Sequence, residues 1–157
     1  MSNRRGDPKV TYRLIDASPA DEPWLDELRR RAYADLFKAT WGGWDEDRHL
    51  RHFSESMKRG HISLIVIDGT RVGMIQILDH GDAVEVAEVQ IDPSHQGRGI
   101  GTRVLQEVIS NATARGLGVR LSVGLKNQKT IRLYERLGFK SERRSETHCD
   151  MRYGAEG

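Results

Sequence analysis

Ile91-Asp92-Pro93-Ser94-His95-Gln96-Gly97-Arg98-Gly99-Ile100-Gly101-Thr102 is the stretch that decides how this chain reads. The apolar run before it, Val84 to Ile91, predicts a strand that stops at the turn Asp92-Pro93. The residues after it, Ile100, Val104, Leu105, Val108, Ile109 and Ala112, recur at helical spacing and predict an amphipathic helix. Between strand and helix lies a glycine-rich loop. Backbone N–H groups at a helix start have no intrahelical partner, and the helix dipole favours negative charge there. Glycine allows an anion to reach those amides, where a side chain would hold it away. The loop reads as a cradle for a pyrophosphate.

Of two other phosphate loops, one is excluded and one fits poorly. A Walker loop closes on Gly-Lys-Ser/Thr, whereas this one closes on Gly101-Thr102-Arg103. A dinucleotide fingerprint needs GxGxxG in an early βα unit and an acid about 20 residues on. Here the glycines read GxGxG, they lie in the second half of the chain, and Leu121-Ser122 occupy the place of the acid.

A second stretch narrows the reading. Gln96-x-x-Gly99-x-Gly101 is followed by Asn127-Gln128-Lys129-Thr130-Ile131-Arg132-Leu133-Tyr134-Glu135-Arg136-Leu137-Gly138-Phe139. Seven residues separate Asn127 from Tyr134, two turns along one helix face. Together the two stretches resemble the acetyl-CoA loop and the Asn-x-x-Ala-x-x-Leu-Tyr-x-x-x-Gly-Phe segment of the GNAT family of N-acetyltransferases. Thr130 stands where that family usually has Ala. The resemblance covers about Thr11 to Tyr153 and is most specific over residues 84 to 139.

The resemblance implies an α/β (α+β) domain: a central mixed, mostly antiparallel twisted sheet of about six to seven strands with about four helices. It implies acetyl-CoA as co-substrate, no metal, and direct transfer of acetyl to a primary amine of a small molecule or peptide. The alternative from another class is a non-catalytic acyl-CoA-binding or sensory module. Gln96, Gly97, Arg98, Gly99, Ile100, Gly101 and Thr102 would take the diphosphate. The backbone of Val89, Gln90 and Ile91 would meet the pantetheine amides as an added strand does. Asn127 would meet the arm near its middle and Tyr134 near its sulfur. Two other roles stay open, a helix N-cap for Asn127 and a core position for Tyr134.

The chemistry asks for a proton acceptor. With an amine pKa of ~10.4, about one molecule in 2,500 is neutral at pH 7. Glu85 and Glu88 on the strand before the loop are the available carboxylates, and alternation sets them on opposite faces unless a bulge intervenes. Glu88 is nearer the loop. Tyr134 is the candidate donor to the departing sulfur. For the acceptor, Tyr33 and the pair Trp41 and Trp44, which flank Gly42-Gly43 ahead of Asp45 and Glu46, offer cation–π and charge contacts. Closing the core under a long connection is the other role open to the tryptophans.

Composition sets the bounds. The chain has 157 residues, 37% hydrophobic and 31% charged, which fits one domain with a sizeable core. The expected organisation is a disordered leader over residues 1–9 and a single domain over 10–157. The leader lacks an apolar segment of the kind a secretory signal needs, and no run approaches the ~20 apolar residues of a membrane span. Cys149 is the single cysteine, which fits a reducing cytoplasm. A net charge of +2 does not argue for nucleic acid. The expected partner is the amine or peptide substrate, with no membrane, and the family resemblance admits a homodimer.

The expected elements are strands at Val10–Ile15, Ile62–Ile67, Val72–Leu78, Val84–Ile91 and Val119–Val123, with two short ones near residues 139–144 and 147–153. Expected helices are Asp21–Phe37, Trp44–Ser56, the one after the loop, and the Asn127 segment.

Overall fold

Ile62–Ile67 forms strand β2, and its run, apolar except for Ser63, is buried on both faces, as a central strand requires. It is one of seven strands in a computed structural model that describes residues 11–154. The others are β1 (Arg13–Asp16), β3 (Thr70–Asp79), β4 (Ala83–Ile91), β5 (Gly118–Gly124), β6 (Lys140–Arg144) and β7 (His148–Tyr153). Four α-helices accompany them: α1 (Glu22–Trp41), α2 (Glu46–Arg59), α3 (Ile100–Ala114) and α4 (Gln128–Leu137). The expected leader and Val10 lie outside the described residues. Among the described residues no helix is long and apolar enough to cross a membrane.

The sheet runs β1-β2-β3-β4-β5-β7-β6. All neighbours are antiparallel except β4 and β5, which α3 connects as a parallel pair. One face packs on α3 and α4 through Ile65, Ile75, Val86, Val104, Leu105 and Ile131; the other carries Leu25 and Leu28 of α1 against Leu64, Val66 and Met74. The β2–β3 turn at Asp68-Gly69 has φ of 51° and 77°, the left-handed pair that a tight two-residue hairpin needs.

The limits of α1 and α2 differ from expectation, and α2 also runs on past Ser56 to Arg59. Helix α1 continues past Phe37 to Trp41 and stops where Gly42 takes a left-handed φ of 81°. Helix α2 starts at Glu46, not Trp44, because the Asp45 side chain accepts from the backbone N–H of Arg48 at 3.1 Å and caps it. Trp41 is therefore the last residue of a helix rather than part of a loop.

The feature that shapes the site is a bulge in β4. Gln76 faces Glu88 and Ile77 faces Val86, so Ala87 is an extra residue on β4. Without it, Glu85 and Glu88 would point to opposite faces. With it, Val84, Val86, Val89 and Ile91 all turn toward the α3 core, while Glu85 and Glu88 both turn toward α1 and α2.

Candidate active site

Beyond the bulge, β4 leaves β5. The two strands pair only at Ala83, Val84 and Glu85, against Gly118, Val119 and Arg120. From Val86 to Ile91 the β5-side edge of β4 has no strand partner among the described residues. Backbone amides and carbonyls of Val89, Gln90 and Ile91 therefore line the opening of a split sheet.

The glycine loop sits where that opening ends. A 3-10 turn at Pro93–His95 is held by Asp92, which accepts from the Ser94 backbone at 3.1 Å and from Arg31 of α1 at 2.7 Å. Gln96 donates to the Ile91 carbonyl at 2.9 Å and pins the loop back on its strand. Gly97 and Gly99 have φ of 80° and 78°, and a Cβ on either would meet nothing within 4 Å. Gly99 is the N-cap of α3, and with no side chain it supplies no cap hydrogen bond to the first amides of the helix. Ile100 is buried beneath them and anchors the helix start, while Arg98 is exposed. Gly101 lies against Ile91, where a Cβ would come within 3.5 Å of its side chain.

On the α1 and α2 side the two glutamates part company. Glu85 accepts from His80 at 2.8 Å and from Arg59 at 3.2 Å, in an exposed cluster. Glu88 lies deeper, its side chain 18% exposed. Gln90 donates to it at 3.1 Å and Ser56 of α2 at 3.4 Å. Burial pushes the Glu88 carboxyl above the ordinary carboxylate range, and the nearby Arg29 guanidinium opposes that rise. Gln76 supports this floor, since its amide donates to the carbonyls of Ser56 and Gly60 and its oxygen accepts from the Ser56 hydroxyl.

Arg29 was not singled out by sequence. It is 5% exposed, with its Nε 3.9 Å from Glu88 Oε2 and its Cζ 4.7 Å from the centre of the Tyr33 ring. Its Nη1 is 3.0 Å from Nδ1 of the fully buried His49, and His49 Nε2 is 2.6 Å from Asp26 Oδ1. Asp26, Arg29 and Tyr33 are spaced three and four apart, one face of α1; the same spacing was visible in sequence, but their partners on α2 and β4 were not. Tyr33 is brought to Glu88 and Gln90 as well, and burial followed by the Glu88 charge raises its phenol.

Tyr134 is buried and stacks at a tilt on Phe139, with burial alone pushing its phenol up to about 12. It is close enough to Tyr33 for the two phenols to interact. Asn127 occupies the N-cap of α4 but makes no side-chain cap hydrogen bond. Trp41 and Trp44 are 38% and 37% exposed and border a hollow of about 430 Å³ with Gly42, Gly43, Asp45, Glu46 and Asp47. Their rings are partly occupied by the chain itself: Arg48 lies 4.1 Å from the Trp41 ring centre, and Phe37 stacks on Trp44 at 4.4 Å.

The chain matches the family model of the acetyltransferase (GNAT) family over residues 22–139. It is 31% identical over 147 residues to an uncharacterised N-acetyltransferase of Methanocaldococcus jannaschii, covering 84% of this chain and 62% of that protein. It is 35% identical over 134 residues to a mycothiol acetyltransferase of Thermomonospora curvata, covering 83% of this chain and 44% of that one. The chain thus spans less than two thirds of the length of either relative. Among solved structures, the PaiA N-acetyltransferase of Thermoplasma acidophilum in complex with coenzyme A shares the fold, with a TM-score of 0.71 over 92% of this chain and 99% of that one at 19% identity. The family match runs from the first turn of α1 through the split of β4, the glycine loop and the Gly138-Phe139 end of α4, and on it the chain belongs to the GNAT family of acetyltransferases.

Proposed function

We propose that the chain transfers acetyl from acetyl-CoA directly to a primary amine of a small molecule or peptide. The observation that carries this reading is the coincidence of three features at one place. The unpaired edge of β4, the side-chain-free space at Gly97 and Gly99, and the half-buried Glu88 all lie along the stretch of β4 and its loop where the sheet splits. A long, thin ligand with an anionic end fits that geometry. The bound coenzyme A in the PaiA neighbour supports the same choice.

The backbone of residues 97 to 102 would hold the diphosphate, with Gln96 tying the loop down. Val89, Gln90 and Ile91 would bind the pantetheine arm by backbone hydrogen bonds, and an N–H there would polarise the thioester oxygen. The Asn127 amide, free of capping duty, would meet the arm from α4.

In the reaction, the amine nitrogen bonds to the acetyl carbon, the carbon–sulfur bond breaks, and the products are an amide and free thiol. We assign the amine's proton to Glu88, reached directly or through one water, because Glu85 is already engaged by His80 and Arg59. Tyr134 would donate a hydrogen bond to the departing sulfur. With its phenol near 12, full transfer of that proton to a thiolate of pKa ~8.5 is uphill by roughly 5 kcal/mol. The sulfur therefore takes its final proton from solvent. Tyr33 lines the acceptor side beside Glu88, and Trp41 and Trp44 stand at its outer approach.

A carrier-binding module without chemistry has no use for a buried acid at the split, so the placement of Glu88 favours catalysis. The test is calorimetric titration with acetyl-CoA together with a mass-spectrometric acetylation screen over polyamines, amino acids, aminoglycosides and peptides. Binding with acetylation that Glu88→Gln abolishes is the expected result. No binding at millimolar acetyl-CoA would overturn the assignment, and binding without acetylation of any amine would return the chain to the module reading.

A further inference from the structure

The least expected group near the split is a buried cation. Arg29 is 5% exposed, and its Nε–H is a buried donor with no hydrogen-bond partner. Burying a guanidinium is costly unless its donors are used. Two observations show where this one is aimed. Its Nη1 is held from behind, and its Nε looks across 3.9 Å at Glu88 Oε2.

The holding arrangement has one consistent set of protons. Arginine only donates, so His49 Nδ1 must accept the Arg29 hydrogen bond. His49 then carries its proton on Nε2 and donates it to Asp26 Oδ1 at 2.6 Å. Asp26 also accepts from Arg30 Nε at 2.8 Å. Burial would raise the Asp26 carboxyl, but the hydrogen bonds from Arg30 and His49 hold it below its ordinary value. Phe53 and Trp44 sandwich the His49 ring with centroids 5.8 and 5.2 Å away. The relay Asp26–His49–Arg29 thus links a carboxylate, an imidazole oriented at both nitrogens and a guanidinium, and its free end faces Glu88.

We propose that Arg29 is a positioning residue for acetyl transfer, holding Glu88 as a charged carboxylate turned toward the acceptor amine, and that His49 and Asp26 serve to aim it. This rests on the reading of Glu88 as proton acceptor. The other groups around Glu88 do not substitute for Arg29. Ser56 and Gln90 are neutral and Tyr33 is a protonated phenol; Arg59 also favours the charged form of Glu88, but from an exposed position and while engaged by Glu85. His52 of α2 stays biased to its neutral form, first by burial and then by Arg29 itself. Arg29 is the one cation in the described structure aimed at Glu88 from within the protein. The 3.9 Å gap leaves the carboxylate room to swing onto the Nε–H when it gives up the proton it has taken.

The test follows the Glu88 carboxyl directly, so it needs no acceptor. Protein labelled with ¹³C at the glutamate carboxyl is titrated by NMR, and Glu88→Gln identifies the resonance. Arg29→Met should raise the Glu88 midpoint by about one to three pH units, and Arg29→Lys by less. His49 supplies a second pair of variants that leaves Arg29 in place. His49→Gln keeps an acceptor for Arg29 and a donor for Asp26 and should leave the midpoint within about half a unit. His49→Leu keeps neither and should move it toward the Arg29→Met value. The acid limb of kcat/KM, measured on any amine found to be acetylated, should move with the midpoint. An unmoved midpoint in Arg29→Met, or in His49→Leu if the first variant does not fold, overturns the proposal. A normal shift combined with full activity in Glu88→Gln would instead overturn the reading of Glu88 and leave the electrostatic link intact.

Discussion

Replacing Gly99 with alanine separates two effects that usually travel together. Gly99 has a φ of 78° and its absent Cβ would meet nothing within 4 Å. Gly81, in the β3–β4 hairpin on the far side of the sheet, has a φ of 85° and equally open space. Placing an L residue in that left-handed conformation costs roughly 1–2 kcal/mol, part of which alanine recovers by stiffening the unfolded chain. Both variants should therefore lose about 1 kcal/mol, a fall in Tm of roughly 2–4 °C for a domain of this size. Only at Gly99 does the new methyl stand where a phosphate oxygen would approach the amides. Loss of one charge-assisted hydrogen bond is worth about 1.5–3 kcal/mol, which is roughly 10- to 150-fold in affinity. Thermal melts and acetyl-CoA calorimetry on the two variants decide the matter. If Gly99→Ala and Gly81→Ala lose stability alike and also bind acetyl-CoA alike, the α3 amides do not hold the diphosphate.

Other expectations follow from the same geometry. Glu88→Gln should lower kcat/KM by about 10²- to 10⁴-fold while leaving the acetyl-CoA dissociation constant within a few-fold, as read by initial rates and calorimetry. In the unmodified protein, Glu88 must lose its proton before it can accept another, and burial raises it. The acid limb of kcat/KM should therefore lie above the ordinary carboxylate range, with activity growing as pH rises through it. Tyr134→Phe removes a hydrogen bond to sulfur but no packing volume, so kcat should fall by roughly tenfold with acetyl-CoA affinity retained; an unchanged kcat removes the phenol from the reaction. Asp45→Ala strips the cap of α2 and should cost about 0.5–2 kcal/mol in denaturant unfolding, and a loss under a few tenths would mean that the cap hydrogen bond contributes nothing.

The parts of this fold that were legible in sequence are those written in periodicity and glycine. The stripe Ile100, Val104, Leu105, Val108, Ile109 and Ala112 is buried without exception, and β2 spans Ile62–Ile67 as its apolar run indicates. The Asp68-Gly69 hairpin and the glycine loop declare themselves because few residues tolerate their backbone angles. Strand β6, Lys-Ser-Glu-Arg-Arg, lies where a short strand near residues 139–144 was expected, although it is exposed throughout and is held by the edge that β7 offers. The bulge at Ala87, by contrast, leaves no mark in composition, since it is a mismatch of register between two strands.

The polar relay behind Glu88 was hidden for a different reason. The stripe Leu25, Leu28, Ala32 and Leu36 identifies the buried side of α1, and an arginine next to it reads as a solvated charge. What buries Arg29 is the arrival of α2, whose His49 meets Arg29 of α1 and whose Ser56, seven residues on, reaches Gln76 of β3 and Glu88 of β4. That arrival also depends on the bulge. Without Ala87, position 88 would face α3, and the valines at 84 and 86 and those beyond could not share one face. A parallel neighbour reached through α3 fixes where the helix must start, at the carboxyl end of β4. The bulge bends β4 at the point where it would otherwise keep pairing with β5. The open strand edge and the turn of Glu88 toward α1 and α2 therefore share a single inserted residue, in the strand that feeds the only parallel junction of the described sheet, while the loop glycines shape the start of α3. The proposed acceptor side carries no such backbone constraint and would be built from α1, α2 and the segment between them. Under the proposed reading, changes at Arg29, Tyr33, Trp41 and Trp44 would alter acceptor choice without disturbing the backbone of the split.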